Sequence, residues 1–295
     1  MEKLIEKAEI LIESLPYIKK FYGKTFVIKY GGAAQIKPAL MDAFAQDVVL
    51  LNYIGINTVI VHGGGPKISE IMKKMGKTPT FIHGQRVTDK ETIDIVEMVL
   101  GGLVNKEIVT LINRHGGKAV GLTGKDAGLI RASKKVIKRA SPETGADEII
   151  DLGLVGEVKE VTPDVLVSLE RNGFIPVVAP VAASAERETL NINADYVASS
   201  LASALKAEKL ILMTDVPGIL DNKGGILPTV KKKNLKKLFD DGTISGGMIP
   251  KVQACVEALK SGVSKTHIVD GRVPHCLLLE IFTEEGIGTE IIQSF

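Results

Sequence analysis

Thr25-Phe26-Val27-Ile28-Lys29-Tyr30-Gly31-Gly32 is a β-prone run that closes on a lysine and two glycines. Such a run predicts a buried strand that delivers its last side chains to the edge of a sheet. In open α/β sheets ligands gather outside the carboxyl ends of the strands, where glycine lets backbone N–H groups come close to an anion. Lys29, Gly31 and Gly32 are therefore the first candidates for a phosphate site.

Outward from that strand the chain alternates strand, glycine and helix. The patterns predict a helix over 38–53, a strand over 58–61, the turn Gly63-Gly64-Gly65-Pro66 and a helix to Met75. A long amphipathic helix over 89–112, a strand over 119–122 and a polar excursion over 131–156, expected to form hairpins, come next. A helix after Pro163 leads to a strand over 174–179, a helix over 194–205 and a strand over 210–214. Helices at 231–239 and 251–260, a strand at 267–269, a helix at 274–282 and a strand at 289–292 close the chain. The alternation gives an α/β class with a mostly parallel sheet covered on both faces. The small, polar segment 182–188 reads as a linker or crossover, so the best division falls before Asn191, with two lobes of one sheet and ligands across the seam. Ahead of the first strand, Leu4, Ile5, Ala8, Leu11, Ile12 and Leu15 fall on one helical stripe that Pro16 should end or kink. That stripe packs either on the domain's own core or on another subunit.

Composition narrows the classes. The 295 residues carry 37 basic and 35 acidic side chains, a net charge of +2, which offers no strong field for nucleic acid or an anionic membrane. Cys255 and Cys276 form no C-x-x-C pair, so neither a disulfide framework nor a zinc site is supported, and a reduced cytoplasmic setting is expected. The start lacks an apolar signal core, and a membrane span would need about 18 consecutive apolar residues, which the sequence does not offer.

Two familiar phosphate loops are disfavoured. Gly23-Lys24-Thr25 and Gly76-Lys77-Thr78 supply only the second half of a Walker A motif, with Ile18 and Ile71 where its first glycine belongs. Ile68 likewise replaces the third glycine of a dinucleotide fingerprint at Gly63 to Gly65. What remains are glycine loops at strand exits and helix starts, including Gly246-Gly247 ahead of Lys251. A lysine in a helix's first turn opposes the dipole at about 0.3 to 1 kcal/mol, so Lys251 is either a screened surface lysine or an anion ligand.

Six segments in chain order then carry a resemblance: Lys29 to Gly32, Val61-His62-Gly63-Gly64-Gly65-Pro66, Arg86-Val87-Thr88-Asp89, Asn191-Ile192-Asn193-Ala194-Asp195, Thr214-Asp215-Val216 and Gly246 to Lys251. From about Tyr17 to the C-terminus the chain resembles the acetylglutamate kinases, a branch of the amino acid kinase family. The resemblance implies a three-layer α/β/α sandwich and ATP-dependent phosphorylation of the γ-carboxylate of N-acetyl-L-glutamate, a step of arginine biosynthesis, with ATP arriving as its Mg2+ complex. It further implies an oligomerisation helix over 1–22, an N-terminal lobe over 23–190 for acetylglutamate and dimerisation, and a C-terminal lobe over 191–295 for ATP.

By the same resemblance Lys29 and Lys251 neutralise the transferring phosphoryl group and Asp195 holds both lysines; alone, an aspartate in a first turn reads as a dipole or capping partner. Arg86 clamps the substrate's α-carboxylate, against a surface ion pair as the local alternative. Gly64 and Gly65 receive the γ-carboxyl and phosphate, or are a mere tight turn. Asn191 takes the acetamido group, or caps a helix together with Asn193. Gly31, Gly32, Thr214, Asp215, Gly218 and Gly247 face the nucleotide, no protein metal ligand is assigned, and His62 and Cys255 are structural. Ala33-Ala34-Gln35 departs from the family's usual Asn-Ala-Met or Ser-Ala-Met, so no hydrogen-bonding role is carried to Ala33.

The N-terminal helix, His267, Glu280 and Gly286-Ile287-Gly288-Thr289 resemble the arginine-inhibited branch. There the helix joins homodimers into a hexamer and L-arginine binds beside it. Glu280 would meet the guanidinium, with Tyr17, Lys209, His267, Gly286 and Gly288 around it; the local alternative is an exposed helix-end glutamate. Rival readings are a sister kinase acting on glutamate, aspartate, carbamate or UMP, a catalytically silent arginine sensor, and a dinucleotide oxidoreductase.

Overall fold

The computed structural model describes residues 1–82, 84–140 and 147–293. The founding stretch is strand β1 (Thr25–Tyr30), and β2 (Asn57–His62) lies beside it. A short hairpin, β3 (Phe81–Ile82) and β4 (Gln85–Arg86), precedes β5 (Ala119–Thr123). Then come β6 (Ile130–Lys134), β7 (Ile137–Ala140), β8 (Asp147–Ile150), β9 (Val155–Val161), β10 (Ile175–Ala179), β11 (Val181–Ala183) and β12 (Thr189–Ile192). The last four are β13 (Lys209–Thr214), β14 (Thr229–Lys231), β15 (Lys265–Asp270) and β16 (Thr289–Ile292). Among the described residues the main sheet has eight strands in the order β14-β16-β15-β13-β1-β2-β10-β5. All neighbours from β15 to β5 run parallel, and only the edge strands β16 and β14 reverse.

Helices α1 (Glu2–Phe21), α2 (Pro38–Tyr53), α3 (Gly65–Lys74), α4 (Lys90–Glu97), α5 (Asn105–Arg114), α6 (Asp164–Arg171), α7 (Ala194–Ala204), α8 (Leu235–Asp240), α9 (Met248–Lys260) and α10 (Cys276–Ile281) flank the strands. They cover both faces, which is why the central strands read as continuous apolar runs. In β1, Phe26, Ile28 and Tyr30 enter the core under α2 and α5, with Tyr30 stacked on Phe44 at 3.7 Å between ring centres. Val27 enters the opposite core, shared with α7 and α9. Because side chains alternate along a strand, Lys29 shares the face of Val27 and is aimed at those two helices.

Two expectations are corrected and two stated alternatives are narrowed. Pro16 does not end α1, which runs on to Phe21. The carbonyl that its missing N–H leaves unpaired belongs to Ile12, in an exposed turn where water can replace the bond, and the Ser14 hydroxyl bonds the nearby Leu11 carbonyl at 2.7 Å. Leu4, Ile5, Leu11, Ile12 and Leu15 are exposed, so this stripe does not pack on the domain's own core; only the last turns, with Tyr17 and Phe21, reach it. The 89–112 helix is α4 and α5 joined by a π-helical segment, Met98–Val104. The 182–188 segment is no plain linker: β11 and β12 pair antiparallel across it and close a small four-stranded barrel with β6 and β9. Residues 182–188 are too small and polar to show an apolar alternation, although Ala182 is buried, as are Leu190 and Ile192 of the strand that follows. The polar excursion does contain a hairpin, β7 with β8, whose connecting residues 141–146 lie outside the described residues.

Candidate active site

The parallel register sets Lys29 beside Val61 on β2 and Leu212 on β13, so the loops that follow the three strands leave one edge of the sheet together. Gly32 has φ +71°, and a Cβ there would strike the Asp215 carboxylate, so the loop after β1 rests directly against the loop after β13. Gly31 has the Lys29 ammonium 2.6 Å from where its own Cβ would stand.

Asp195 brings the two lysines together. The Asn193 side chain caps α7 by accepting the Asp195 N–H at 2.8 Å, which fixes the first turn and leaves the aspartate carboxylate to project from it. Asp195 Oδ1 lies 3.3 Å from Lys29 Nζ, and Oδ2 accepts from Lys251 Nζ at 2.9 Å. All three side chains are largely buried, at 6% exposure for Asp195, 11% for Lys29 and 16% for Lys251. Burial pushes the Asp195 carboxyl up, but the two ammonium groups outweigh it and hold it below the usual aspartate range. Burial lowers the Lys29 pKa, helped by Lys251 and opposed by Asp195. The cluster carries one net positive charge in a water-poor place, a setting that favours an incoming anion.

A cavity of about 210 Å³ opens beside this cluster, lined by Gly63, Gly64, Gly65, Arg86, Leu100 and Asn191. Arg86 is no surface residue. Its Nη2 donates to the Gly65 carbonyl at 2.9 Å and to Ser69 Oγ at 2.8 Å, its Nη1 lies 3.2 Å from the Met72 sulfur, and the guanidinium stands 4.7 Å from the centre of the Phe81 ring. Those neighbours bring no carboxylate, and burial lowers the guanidinium pKa. Asn191 is held in β12, with Nδ2 3.4 Å from Thr88 Oγ1, so the capping alternative falls to Asn193 alone. Gly64 does more than turn: a Cβ on it would come within 2.5 Å of Leu100 Cδ2.

On the other side of the lysines, Thr214 ends β13 opposite Asp270, and Gly218 (φ +152°) leaves no space for a side chain beside Thr289 Oγ1, which accepts the Ile219 N–H at 2.8 Å. Gly247 precedes α9, whose fourth residue is Lys251. Lys67, by contrast, pairs with Glu70 on the surface at 3.0 Å. Sequence reasoning missed Ser69, which turns Arg86, and Gln35, whose Nε2 donates to the Tyr30 carbonyl at 3.1 Å and reaches the Gly63 carbonyl at 3.5 Å, tying two glycine loops together. The one long amide in a run of small residues was the available signal for Gln35.

A second polar cluster lies between the end of α1 and the C-terminal strands. Glu280 is buried rather than exposed. Its Oε1 lies 2.6 Å from His267 Nδ1, and its Oε2 accepts the Ile287 and Gly288 N–H groups at 2.7 and 3.1 Å. Burial raises its pKa, yet these hydrogen bonds outweigh it and the carboxyl titrates below its ordinary value. Lys209 Nζ stands 3.0 Å from His267 Nε2, and burial brings its pKa down to about 8. A lysine only donates, so His267 accepts at Nε2 and donates from Nδ1 to Glu280. A cavity of about 280 Å³ adjoins the cluster, bounded by Tyr17, Lys20, Lys209, His267, Glu280 and Gly286. The ring of Tyr17 packs edge-on against Phe282 at 6.2 Å.

Among the described residues, no helix is long and apolar enough to cross a membrane. The model of the amino acid kinase family matches residues 24–270. Acetylglutamate kinase of Sulfurihydrogenibium sp. is 57% identical over 297 residues, 99% of either chain. That of Persephonella marina is 56% identical over 99% of this chain and all of its own. The structure of N-acetylglutamate synthase from Neisseria gonorrhoeae superposes with a TM-score of 0.83 at 24% identity, over 98% of this chain and 64% of the synthase chain, a likeness of fold alone. The family model and the near full-length relatives agree with the geometry of the glycine loops and paired lysines, and the chain belongs to the amino acid kinase family.

Proposed function

We propose that this protein transfers a phosphoryl group from Mg-ATP to the γ-carboxylate of N-acetyl-L-glutamate, a cytoplasmic step of arginine biosynthesis. The observation that carries the reading is the Asp195 carboxylate with one lysine on each oxygen, Lys29 from one lobe (23–190) and Lys251 from the other (191–295). A carboxylate with a pKa of about 4.3 is already an ionised nucleophile at neutral pH, so the reaction needs no general base. The obstacle is charge, because an anion must approach a polyanion in line. Lys29 and Lys251 offset that charge, and Asp195 keeps them apart and aimed. Gly64 and Gly65 offer N–H groups to the γ-carboxyl and the transferring group, Arg86 takes the α-carboxylate that its pocket lacks, and Asn191 takes the acetamido group.

ATP lies on the opposite side, against Gly31, Gly32, Thr214, Asp215, Gly218 and Gly247, with its Mg2+ bridged mainly by phosphates and water. Relatives 56 to 57% identical and named acetylglutamate kinase support this substrate over glutamate, aspartate, carbamate or UMP. The Glu280 cavity is proposed to bind L-arginine as feedback inhibitor, since Glu280, Glu284 and Glu285 suit a guanidinium and Lys20 and Lys209 a carboxylate. The exposed stripe of α1 then joins homodimers into a hexamer.

Trapping the acyl phosphate as its hydroxamate, with each acceptor offered in turn, tests the reaction. Product from N-acetyl-L-glutamate far above that from glutamate, aspartate or carbamate is the expected result. Equal or greater turnover of another acceptor would overturn the assignment.

A further inference from the structure

We propose that His62 is a positioning residue: held in one tautomer by Asn105, its imidazole fixes the Gly63 carbonyl and so aims the Gly64 and Gly65 N–H groups into the substrate cavity. The inference rests on reading those two glycines as the anion cradle.

The hydrogen positions follow from a chain of obligations. Lys106 Nζ can only donate, so the Asn105 atom 3.2 Å from it is the carbonyl oxygen, Oδ1. That turns Nδ2 toward Val177 O at 2.9 Å, Leu122 O at 3.3 Å and His62 Nε2 at 3.2 Å. An amide nitrogen has no lone pair to offer, so Nε2 must be the bare nitrogen of the ring. The proton is left on Nδ1, which lies 2.8 Å from the Gly63 carbonyl oxygen and donates to it. Burial, with a smaller push from Lys106, brings the imidazole pKa down to about 4, so the ring stays neutral at physiological pH.

The Gly63 N–H meanwhile donates to the Tyr30 carbonyl at 2.9 Å. Both ends of this residue are thus tied into the protein, and the next two N–H groups are left at the cavity and the start of α3. The support comes from one place in the chain. The π-helical segment supplies Leu100, which stands against Gly64, and delivers Asn105, fully buried, beneath the same loop. An inserted π turn shifts the phase of a helix and recurs at functional sites.

Two near-isosteric variants separate positioning from packing. In His62→Asn the amide nitrogen can take the place of Nδ1; in His62→Gln it takes the place of Nε2 and the donor to Gly63 is lost. A loop displaced by an ångström costs about 100-fold, so His62→Gln should lose about that in kcat, with KM for ATP changed less than about threefold and the folded state retained in thermal unfolding. His62→Asn should recover most of the loss. Equal rates for the two folded variants would overturn the proposal. Nitrogen-15 NMR of the wild-type ring is independent of any turnover: a neutral Nδ1–H tautomer at neutral pH supports the relay, and an Nε2–H tautomer overturns it. Should the wild type fail to phosphorylate acetylglutamate, the proposed function falls while the NMR still decides whether the relay exists.

Discussion

Two buried carboxylates organise this molecule, and they are served differently. Asp195 meets two lysines directly, one on each oxygen, at the start of a helix whose capping Asn193 and first residue, Ala194, line a cavity. Glu280 meets a neutral imidazole and two backbone N–H groups, and its lysine, Lys209, is held one ring further away. The first arrangement holds two lysine side chains against one carboxylate, even though burial lowers the Lys29 pKa. The second satisfies the carboxylate with no cation directly on either oxygen, beside a cavity, and burial leaves Lys209 with a pKa of about 8. Two lysines on one carboxylate suit an incoming polyanion; a carboxylate with no cation on either oxygen suits recognition of a cation.

The comparison breaks most visibly at Asp195. Asp195→Ala leaves two buried lysine side chains without the carboxylate they share, and loss of one partner from such a cluster costs about 3 to 5 kcal/mol. Steady-state assays should show kcat at least about 100-fold lower, and urea unfolding should show the loss of stability. A variant with near-normal kcat would mean that the lysines need no organiser.

The second region should show itself in pH dependence. Lys209 has a folded-state pKa lowered from its ordinary value to about 8. The unfolded chain therefore binds the extra proton between about pH 8 and 10.5, and stability contributed at this site rises with pH across that window. The full excursion is on the order of 3 kcal/mol. Lys209→Met should be more stable than the parent at pH 7, with the advantage shrinking as pH rises toward 10. An advantage independent of pH would show that Lys209 is not strained by burial.

Smaller in energy, Glu280→Gln removes the charge proposed to meet a guanidinium. The arginine concentration for half inhibition should rise at least about tenfold, or 1.4 kcal/mol. Unaltered inhibition would move the arginine site elsewhere. Least of all should Leu11→Glu on α1 affect the fold, since that side chain is 71% exposed; stability should change by less than about 0.5 kcal/mol. Sedimentation should nonetheless fall from a hexamer to a dimer, and a persistent hexamer would assign assembly to another face.

Much of the first region was legible in the sequence, because an apolar strand ending in Lys29 and two glycines dictates both the burial and the exit. What sequence could not supply was register. Only the pairing of β1 with β2 and β13 sets Lys29 on the face of α7 and α9, where Asp195 and Lys251 meet it. Arg86 looks like an ordinary surface arginine until Phe81, Met72 and Ser69 fold around it. The sequence does not single out Asn105; in the fold it follows the π turn and shares the buried face of α5 with Ile108 and Ile112. The strand at 181–183, Val-Ala-Ala, was hidden by small side chains, and its partner at 189–192, although it alternates Thr-Leu-Asn-Ile, is only four residues long. The stripe on α1 was plain, but a stripe says that something covers it, not what.

The central claim, that the Asp195 cluster performs the chemistry and the Glu280 cluster restrains it, is tested most directly by hydroxamate formation from Mg-ATP and N-acetyl-L-glutamate, with and without millimolar L-arginine. Turnover that arginine suppresses is the expected result. Turnover indifferent to arginine would contradict the role given to Glu280, and absence of turnover would contradict the role given to Asp195 and its two lysines.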